Sequence, residues 1–486
     1  MEFSDVRSVA IIGAGVAGLA TARVLLAEGL DCRVFERAAQ LGGVWAIGYS
    51  NFGVQTPKEV YEFPDWPLAH ATRSFTPGPT FRDYLEAYAR EFGISPHIQF
   101  STPVVGLVQR RSRPGWVVSY REGRALRSEE FDLVAVCTGL YSHTPYMPKF
   151  AGQERFGGRI LHTSEVTTRE SLRGQRIAIV GFGKSATDVA VEAAAVAART
   201  ALIVREPRWP IPQKLAGILP FKWGLLHRLT STLLPLYQRP SRIERVVHAV
   251  GRPAVWLFWR LVEALVVIQC SLDSRWGRRT SLVPRRRIEL DAFCEPLMSP
   301  RPEFYRLIRR GAIDVHRTEI AEFTSTGLIL RDGARIDADV VVLGTGWTTD
   351  YGFLPDDVLA ALDQQDDGLY LYRHMVHPKV PQLFFIGANA STFSNTTTYS
   401  LQARWLAEVL SGRHVLPSAE MMAGEIEDIK AWKRTWMPFG PARGARLHAH
   451  QLHYWDELVR DLGASARRKR GFWAPLKALR VRGVAA

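Results

Sequence analysis

Cysteine is scarce in this chain of 486 residues: the four present, Cys32, Cys137, Cys270 and Cys294, lie far apart, and no CxxC pair occurs. That excludes a dithiol reductase and a cysteine-built zinc site, and no metal site is expected. It leaves isolated thiols as small buried groups in a reducing compartment. No heme or iron–sulfur ligand spacing is present either. Acidic residues are also in deficit. With 48 carboxylates against 62 lysines and arginines the formal charge is +14, which favours phosphate cofactors, anionic lipid or nucleic acid as partners. Nucleic acid is the poorest of these, because no recognition helix, zinc spacing or aromatic RNA-binding motif accompanies the arginines. Clean apolar runs are missing as well: residues 254–272 approach the length of a membrane span, but Arg260 and Glu263 interrupt them. A buried or interfacial helix is expected there. Residues 1–7 lead directly into an apolar strand, leaving no room for a cleaved signal peptide, so the cytoplasm is the expected address.

What the chain does have is size, 47% hydrophobic residues, and two glycine-rich turns. Gly13-Ala14-Gly15-Val16-Ala17-Gly18 follows an apolar strand at 8–12, opens a helix at 16–28 and is followed by a strand at 32–36. Gly181-Phe182-Gly183-Lys184-Ser185-Ala186 repeats the unit, with strands at 176–180 and 201–205 around a helix at 185–198. A single such turn is a weak signal; with its whole βαβ context, duplicated, it predicts two dinucleotide sites in one α/β chain.

The two sites differ in charge. At the first, Gly13 permits the tight turn, Gly15 lets backbone approach a pyrophosphate, and Gly18 allows close helix packing. Glu36 ends the next strand, where it accepts ribose hydroxyls and repels a 2′-phosphate, selecting FAD or NAD. At the second, the corresponding positions carry Arg205 and Arg208, and Lys184 lies in the turn with Gly181, Gly183 and Ser185. That set suits NADP(H). FAD and NADPH in one protomer imply hydride transfer to flavin, with oxygen as the leading final acceptor.

Strands at 131–136 and 338–343 also end in glycine turns, Cys137-Thr138-Gly139 and Gly344-Thr345-Gly346. They read as the points where the chain passes between domains, giving two Rossmann-like domains with the NADPH domain inserted into a discontinuous FAD domain. The alternative is ordinary exits from one large sheet. The expected division is 1–150 and 338–420 for FAD, 151–337 for NADPH with an apolar and basic insertion at about 207–300, and a basic extension at 421–486. Residues 467–480 mix arginines with Phe472, Trp473, Leu476 and Leu479, suited to peripheral contact with an anionic membrane or to a solvated tail.

At this point the chain resembles a known family, the class B flavoprotein monooxygenases, and within them the flavin-containing monooxygenases. Phe156, Gly158 and His162 match the fingerprint FxGxxxHxxx(Y/F), whereas Val166 departs from it. Leu41-Gly42-Gly43-Val44-Trp45, Pro57-Lys58 through Phe63-Pro64-Asp65-Trp66-Pro67, Gly344-Thr345-Gly346-Trp347 and 381–387 followed by 402–405 resemble further family segments. Gly43, Trp45, Val104, Gly139, His162 and Gly387 thereby join the cofactor-binding candidates. His162 is read as a hydrogen-bonder at the domain junction rather than a base. Gln55 stands where members commonly carry a flavin-facing asparagine; it is the one candidate for the chemistry.

The resemblance implies an oxidoreductase that inserts one atom of O2 through a C4a-(hydro)peroxyflavin. N- or S-oxygenation of a small or lipophilic substrate is the leading expectation. The alternatives are Baeyer–Villiger oxygenation of a ketone, which in that branch relies on a flavin-facing arginine; oxidative decarboxylation of a 2-oxo acid; and an NADPH oxidase or electron-transfer flavoprotein at a membrane surface.

Overall fold

A computed structural model of the chain describes residues 3, 5–141, 144–220, 223, 227–273, 281–291, 297–298, 300–380, 382–391, 393–437, 447–448 and 450–465. Its frame is ten short parallel strands: β1 (Ser8–Ile12), β2 (Asp31–Phe35), β3 (Ile98–Gln99), β4 (Leu133–Val136), β5 (Arg159–His162), β6 (Arg176–Val180), β7 (Arg199–Ile203), β8 (Asp314–His316), β9 (Val340–Leu343) and β10 (Leu383–Phe385). They form two five-stranded sheets, ordered β10-β4-β1-β2-β3 and β8-β7-β6-β9-β5. Continuous apolar runs such as Val-Val-Val-Leu in β9, fully buried, are what a parallel sheet covered on both faces demands. Each sheet carries a three-stranded antiparallel companion, Val104–Gln109 with Trp116–Glu122 and Ala125–Phe131 in one case, Ile320–Thr324 with Gly327–Leu330 and Arg335–Asp337 in the other. The duplication seen in the glycine turns therefore extends to the whole domain plan.

The helices that matter for the site are α1 (Val16–Ala27), α2 (Lys184–Val196), α3 (Arg242–Ala249), α4 (Arg252–Cys270), α5 (Asn395–Leu410) and α6 (Gln451–Asp461). Small residues Ala17, Ala20 and Ala22 on α1 are buried, and α1 packs against α5 over the first sheet. The chain leaves that sheet after β4 and returns after β9. The two crossings pair with each other, Trp347 and Thr348 lying antiparallel to Pro145 and Thr144, with Tyr146 N–H donating to the Gly346 carbonyl at 2.9 Å.

Two expected boundaries shift. β9 pairs with β6 and β5, so the second sheet runs through Leu343 and the return to the first domain falls after it, not at 337/338. The apolar run marked a strand without saying which sheet would take it. In the region expected as an extension at 421–486, Met422, Ile426, Leu452, Tyr454 and Leu458 belong to the first domain's core. The basic segment 467–480 lies outside the described residues.

Candidate functional site

Both glycine turns open onto one cleft of about 1340 Å³ between the sheets, larger than a single small-molecule pocket of the usual ~300–1,000 Å³. The turns are built alike. Gly13 has φ +106° and presses on the Cys137 carbonyl, which an added Cβ would meet at 2.8 Å; Gly181 has φ +120° and presses on the Gly344 carbonyl, met at 2.5 Å. Each turn thus crosses the exit of the neighbouring strand at a distance only glycine allows. The helices that follow are bare at their N-termini. α1 begins at Gly15 and α2 at Gly183, neither with a side-chain cap nor an acid in the first turn, whereas Ser241 caps α3 and Ser394 caps α5. Uncapped first-turn N–H groups aimed into a cleft are fitted to phosphate. The residues present therefore fit a dinucleotide at each turn.

On the first side the cleft is lined by Gly13, Gly15, Glu36, Gly43, Trp45, Gln55, Val104 and Gly139. Glu36 is 7% exposed; one carboxylate oxygen accepts the Ala14 N–H and the other the Ala38 N–H, both at 2.8 Å. It fastens the glycine turn to the end of β2 while facing the cleft. Gln55 is half-buried, and its backbone N–H donates to the Tyr61 hydroxyl oxygen. Burial pushes that phenol up to about 12, against the Gln55 bond, so it stays protonated. Trp45 packs edge-on against Tyr61 at 5.6 Å and stacks on Phe52 at 5.9 Å, so an aromatic wall adjoins Gln55, and Tyr141 and Tyr399 line the same cleft.

On the second side Gly181, Gly183, Lys184, Ser185, Arg205 and Arg208 line the cleft. The Arg205 side chain is 80% exposed, with Glu319 4.0 Å away; Arg208 lies 3.7 Å from buried Asp291. Lys184 is not the loose cation its place suggests: its ammonium contacts Asp188 one turn along α2 at 2.5 Å.

Gly18, His162 and Gly387 stand behind the wall rather than on it. Gly18 packs on the Gly13 carbonyl, and the Gly387 N–H donates to Gln402 at 3.0 Å. His162 ends β5, 1% exposed, edge-on to Trp347 at 5.0 Å, with Nδ1 2.8 Å from the Ser164 hydroxyl. Burial lowers its pKa, against the Gly346 backbone bond and the Glu165 charge, so it is neutral at pH 7. Its position is a joint between the domains.

Sequence reasoning missed an interdomain network beside the cleft. Asp188 and Glu192, both buried on one face of α2, meet the segment 49–51 of the first domain: the Tyr49 hydroxyl donates to Asp188 at 2.8 Å and Asn51 Nδ2 to Glu192 at 3.1 Å. Asp188 lies two residues beyond Ala186 of the second glycine turn, but nothing local marks its partners. Burial pushes the thiols of Cys32 and Cys137 up to about 12, which keeps them protonated.

With this geometry in view, comparison with known proteins identifies the frame. The flavin-binding monooxygenase-like family model matches residues 6–246 and 297–469. Dimethylaniline monooxygenase 2 (N-oxide-forming) of Oryctolagus cuniculus is 28% identical over 478 residues, covering 94% of this chain and 83% of that protein. Probable flavin-containing monooxygenase 1 of Arabidopsis thaliana is 28% identical over 508 residues, covering 96% and 93%. Among solved structures, S-allyl-L-cysteine S-oxygenase from Allium sativum superposes with a TM-score of 0.65 at 22% identity, covering 97% and 91%. Two Rossmann-like domains, two phosphate-ready turns facing one cleft and a family match over most of the chain converge: this chain belongs to the flavin-binding monooxygenase family and is an oxidoreductase with FAD and NADPH as cofactors.

Proposed function

We propose that the enzyme transfers one oxygen atom to a soft nitrogen or sulfur of a small or lipophilic substrate. The observation that carries this reading is the wall around Gln55. Among the described residues the arginines lining the cleft are Arg37, Arg205, Arg208 and Arg331; none belongs to the segments that surround Gln55. Baeyer–Villiger chemistry, by the resemblance above, needs such an arginine at the flavin. The N-oxide-forming name of a relative 28% identical supports the same ordering.

When bound, FAD would supply the hydride-accepting and oxygen-activating chemistry, and NADPH the hydride. The protein's part is placement. In our reading the N-terminus of α1 holds the FAD pyrophosphate and Glu36 the ribose, while the N-terminus of α2 holds the NADPH pyrophosphate and Arg205 its 2′-phosphate. The Gln55 amide offers a donor and an acceptor to the flavin's reacting face. Trp45, Phe52 and Tyr61 keep bulk water from it, which limits loss of oxygen as peroxide. His162 keeps the crossing rigid. The domains divide as 1–150 with 344–465 for FAD and 151–343 for NADPH. Cys32 and Cys137, buried and unbridged, favour a reducing, cytoplasmic setting.

The test is product analysis under NADPH and oxygen with a tertiary amine, a thioether and a cyclic ketone offered separately. N-oxide or sulfoxide formation matched to NADPH consumption is expected. Ester or lactone formation alone overturns the ordering, and peroxide equal to NADPH with every substrate makes the protein an oxidase.

A further inference from the structure

The cations of the second wall do not stand open to the cleft. Lys184, Arg205, Arg208 and Arg331 line it, and each has a carboxylate within reach: Arg331 is 3.0 Å from Glu319, Arg208 3.7 Å from Asp291 and Arg205 4.0 Å from Glu319. The tightest of these pairs is Lys184 with Asp188. The ammonium touches both carboxylate oxygens, at 2.6 and 2.5 Å, across the four-residue spacing at which side chains meet along a helix. Yet Lys184 is the first residue of α2, directly after Gly183, where bare N–H groups face the cleft and an added Cβ would meet nothing within 4 Å. The side chain best placed to meet a phosphate is held one turn back by its own helix.

Asp188 has the partners to let it go. The carboxylate is 1% exposed, and a buried charge stripped of every partner is strongly destabilising. Here the Tyr49 hydroxyl donates to it at 2.8 Å and the Arg301 guanidinium lies 3.6 Å away, so Asp188 stays bonded and offset without Lys184. Burial first, and then the Asp188 charge, push the Tyr49 phenol well above its usual pKa, which keeps it a donor. Glu192, one turn on, does not depend on Arg301 alone, since Asn51 reaches it at 3.1 Å and Arg169 at 3.3 Å. Lys184 has the opposite character. Its side chain is 17% exposed, on a flexible four-carbon stem, so one end of the pair is fixed and the other can swing.

Granting the proposed placement of the NADPH pyrophosphate at α2, on which this rests, we infer that Asp188 is a positioning residue that holds Lys184 in reserve: the ammonium stays on Asp188 while the turn is empty and passes to the pyrophosphate when the dinucleotide arrives. The exchange needs only side-chain rotation and leaves neither end uncompensated, because Tyr49 and Arg301 keep Asp188 while the phosphates take Lys184. It also sets a threshold. A small anion gains one contact and must break the Lys184–Asp188 pair, whereas a dinucleotide brings two phosphates to the bare N–H groups and a further one to Arg205. The turn thereby selects the whole cofactor over free phosphate, and Tyr49, a residue of the first domain, becomes part of the second domain's nucleotide site.

The experiment is calorimetric titration of NADP+ into the FAD-loaded, full-length enzyme, for the parent, Asp188→Asn, Lys184→Met and the two combined. Flavin content and a thermal melt report that each variant is folded. The dissociation constant is expected to fall about tenfold in Asp188→Asn, as Lys184 is released, and to rise about tenfold in Lys184→Met; once Lys184→Met is present, Asp188→Asn should change nothing. Inorganic phosphate should compete with NADP+ more strongly in Asp188→Asn than in the parent. Tyr49→Phe tests the same claim from the other domain, and serves if Asp188→Asn does not fold: by leaving Lys184 as the nearest partner of Asp188 it should weaken NADP+ binding, and only while Lys184 is present. Binding that is unchanged or weaker in Asp188→Asn makes the carboxylate a structural partner and overturns the proposal. Tightening of equal size with and without Lys184→Met is a field effect on the phosphates rather than transfer of a cation, and overturns it equally. A flavin-loaded parent that takes up no NADP+ sinks the placement of the nucleotide itself, a result distinct from either.

Discussion

Arg301 joins the two nucleotide domains through Glu192: its guanidinium meets that carboxylate at 2.5 Å and, with its other amino group, the Asn51 carbonyl at 2.7 Å. The same side chain lies 3.6 Å from Asp188, so one cation offsets two buried carboxylates on α2 and ties them to the flavin-side segment. Lys184 shares the task from above. The position of the second domain relative to the first is thereby held by charge in a low-dielectric seam.

Arg301→Met is expected to cost about 3–5 kcal/mol, because it strands buried charge rather than merely removing a contact. A thermal melt checks the loss. The Glu192→Gln background should recover part of it, and unchanged melting in the single variant would show the seam to be inert. Looser domains should also waste NADPH as peroxide, measurable as a lower ratio of oxygenated product to NADPH consumed.

Glu36→Gln tests the first turn. The carboxylate accepts from Ala14 and Ala38 at once, and an amide has only one oxygen to offer, so one backbone N–H must face an NH2 group. Removing a charged acceptor from a buried donor costs ~1.5–3 kcal/mol, which predicts FAD affinity lower by a factor of about ten to a hundred. Flavin retained through gel filtration is the readout, with NADPH affinity unaffected.

Much of this was written in the chain. The two GxGxx turns and their acid or arginine partners lie within a few tens of residues, so strand, turn and helix announce the sites locally. Other features had no local signature. Arg301 reaches Asn51 across 250 positions, and β9 looks the same in sequence whichever sheet takes it. Lys184 reads in sequence as a cation of the turn, and its pairing was open to view: Asp188 sits four residues on, the spacing at which helical side chains meet. The apolar outer face of α4 was legible only as an interrupted hydrophobic run. Its exposure is a tertiary fact.

A pH dependence of stability follows from Asp132, which precedes β4. Burial raises its pKa, but the bonds from Arg110, from the Arg7 and Ser8 N–H groups and from the Ser8 hydroxyl outweigh burial and hold it at about 2. Its folded pKa lies below the unfolded 3.8, so the stabilisation is present above that unfolded value and is lost as pH falls toward 2. The difference corresponds to about 2 kcal/mol. Asp132→Asn should therefore lower the melting temperature at pH 7, and the gap between variant and parent should close as pH falls from 4 to 2. A gap that is independent of pH would mean the loss is packing, not charge.

Gly18 and Gly183 separate structural from binding demands on glycine. A Cβ on Gly18 would sit 1.8 Å from the Gly13 carbonyl oxygen, whereas one on Gly183 has nothing within 4 Å. Gly18→Ala is expected to abolish flavin binding or folding. Gly183→Ala should leave melting temperature and flavin content intact while raising the KM for NADPH, because the methyl group enters the space the pyrophosphate needs. Equal behaviour of the two variants would place the second phosphate elsewhere.

Arg205 tests the choice of nicotinamide. It stands two residues beyond β7, one position further on than Glu36 stands beyond β2, with its side chain largely exposed and Glu319, at 4.0 Å, too far to neutralise it fully. A 2′-phosphate would find there a guanidinium able to bind two oxygens. Arg205→Gln should raise the KM for NADPH by about tenfold or more, the loss of a charge-assisted contact of ~1.5–3 kcal/mol, and leave the KM for NADH nearly unchanged. Arg205→Lys should restore part of the preference, since a point charge remains without the fork. If NADPH and NADH lose affinity equally, Arg205 supports the turn rather than reading the phosphate, and Arg208 or Arg331 on the same wall becomes the residue to replace.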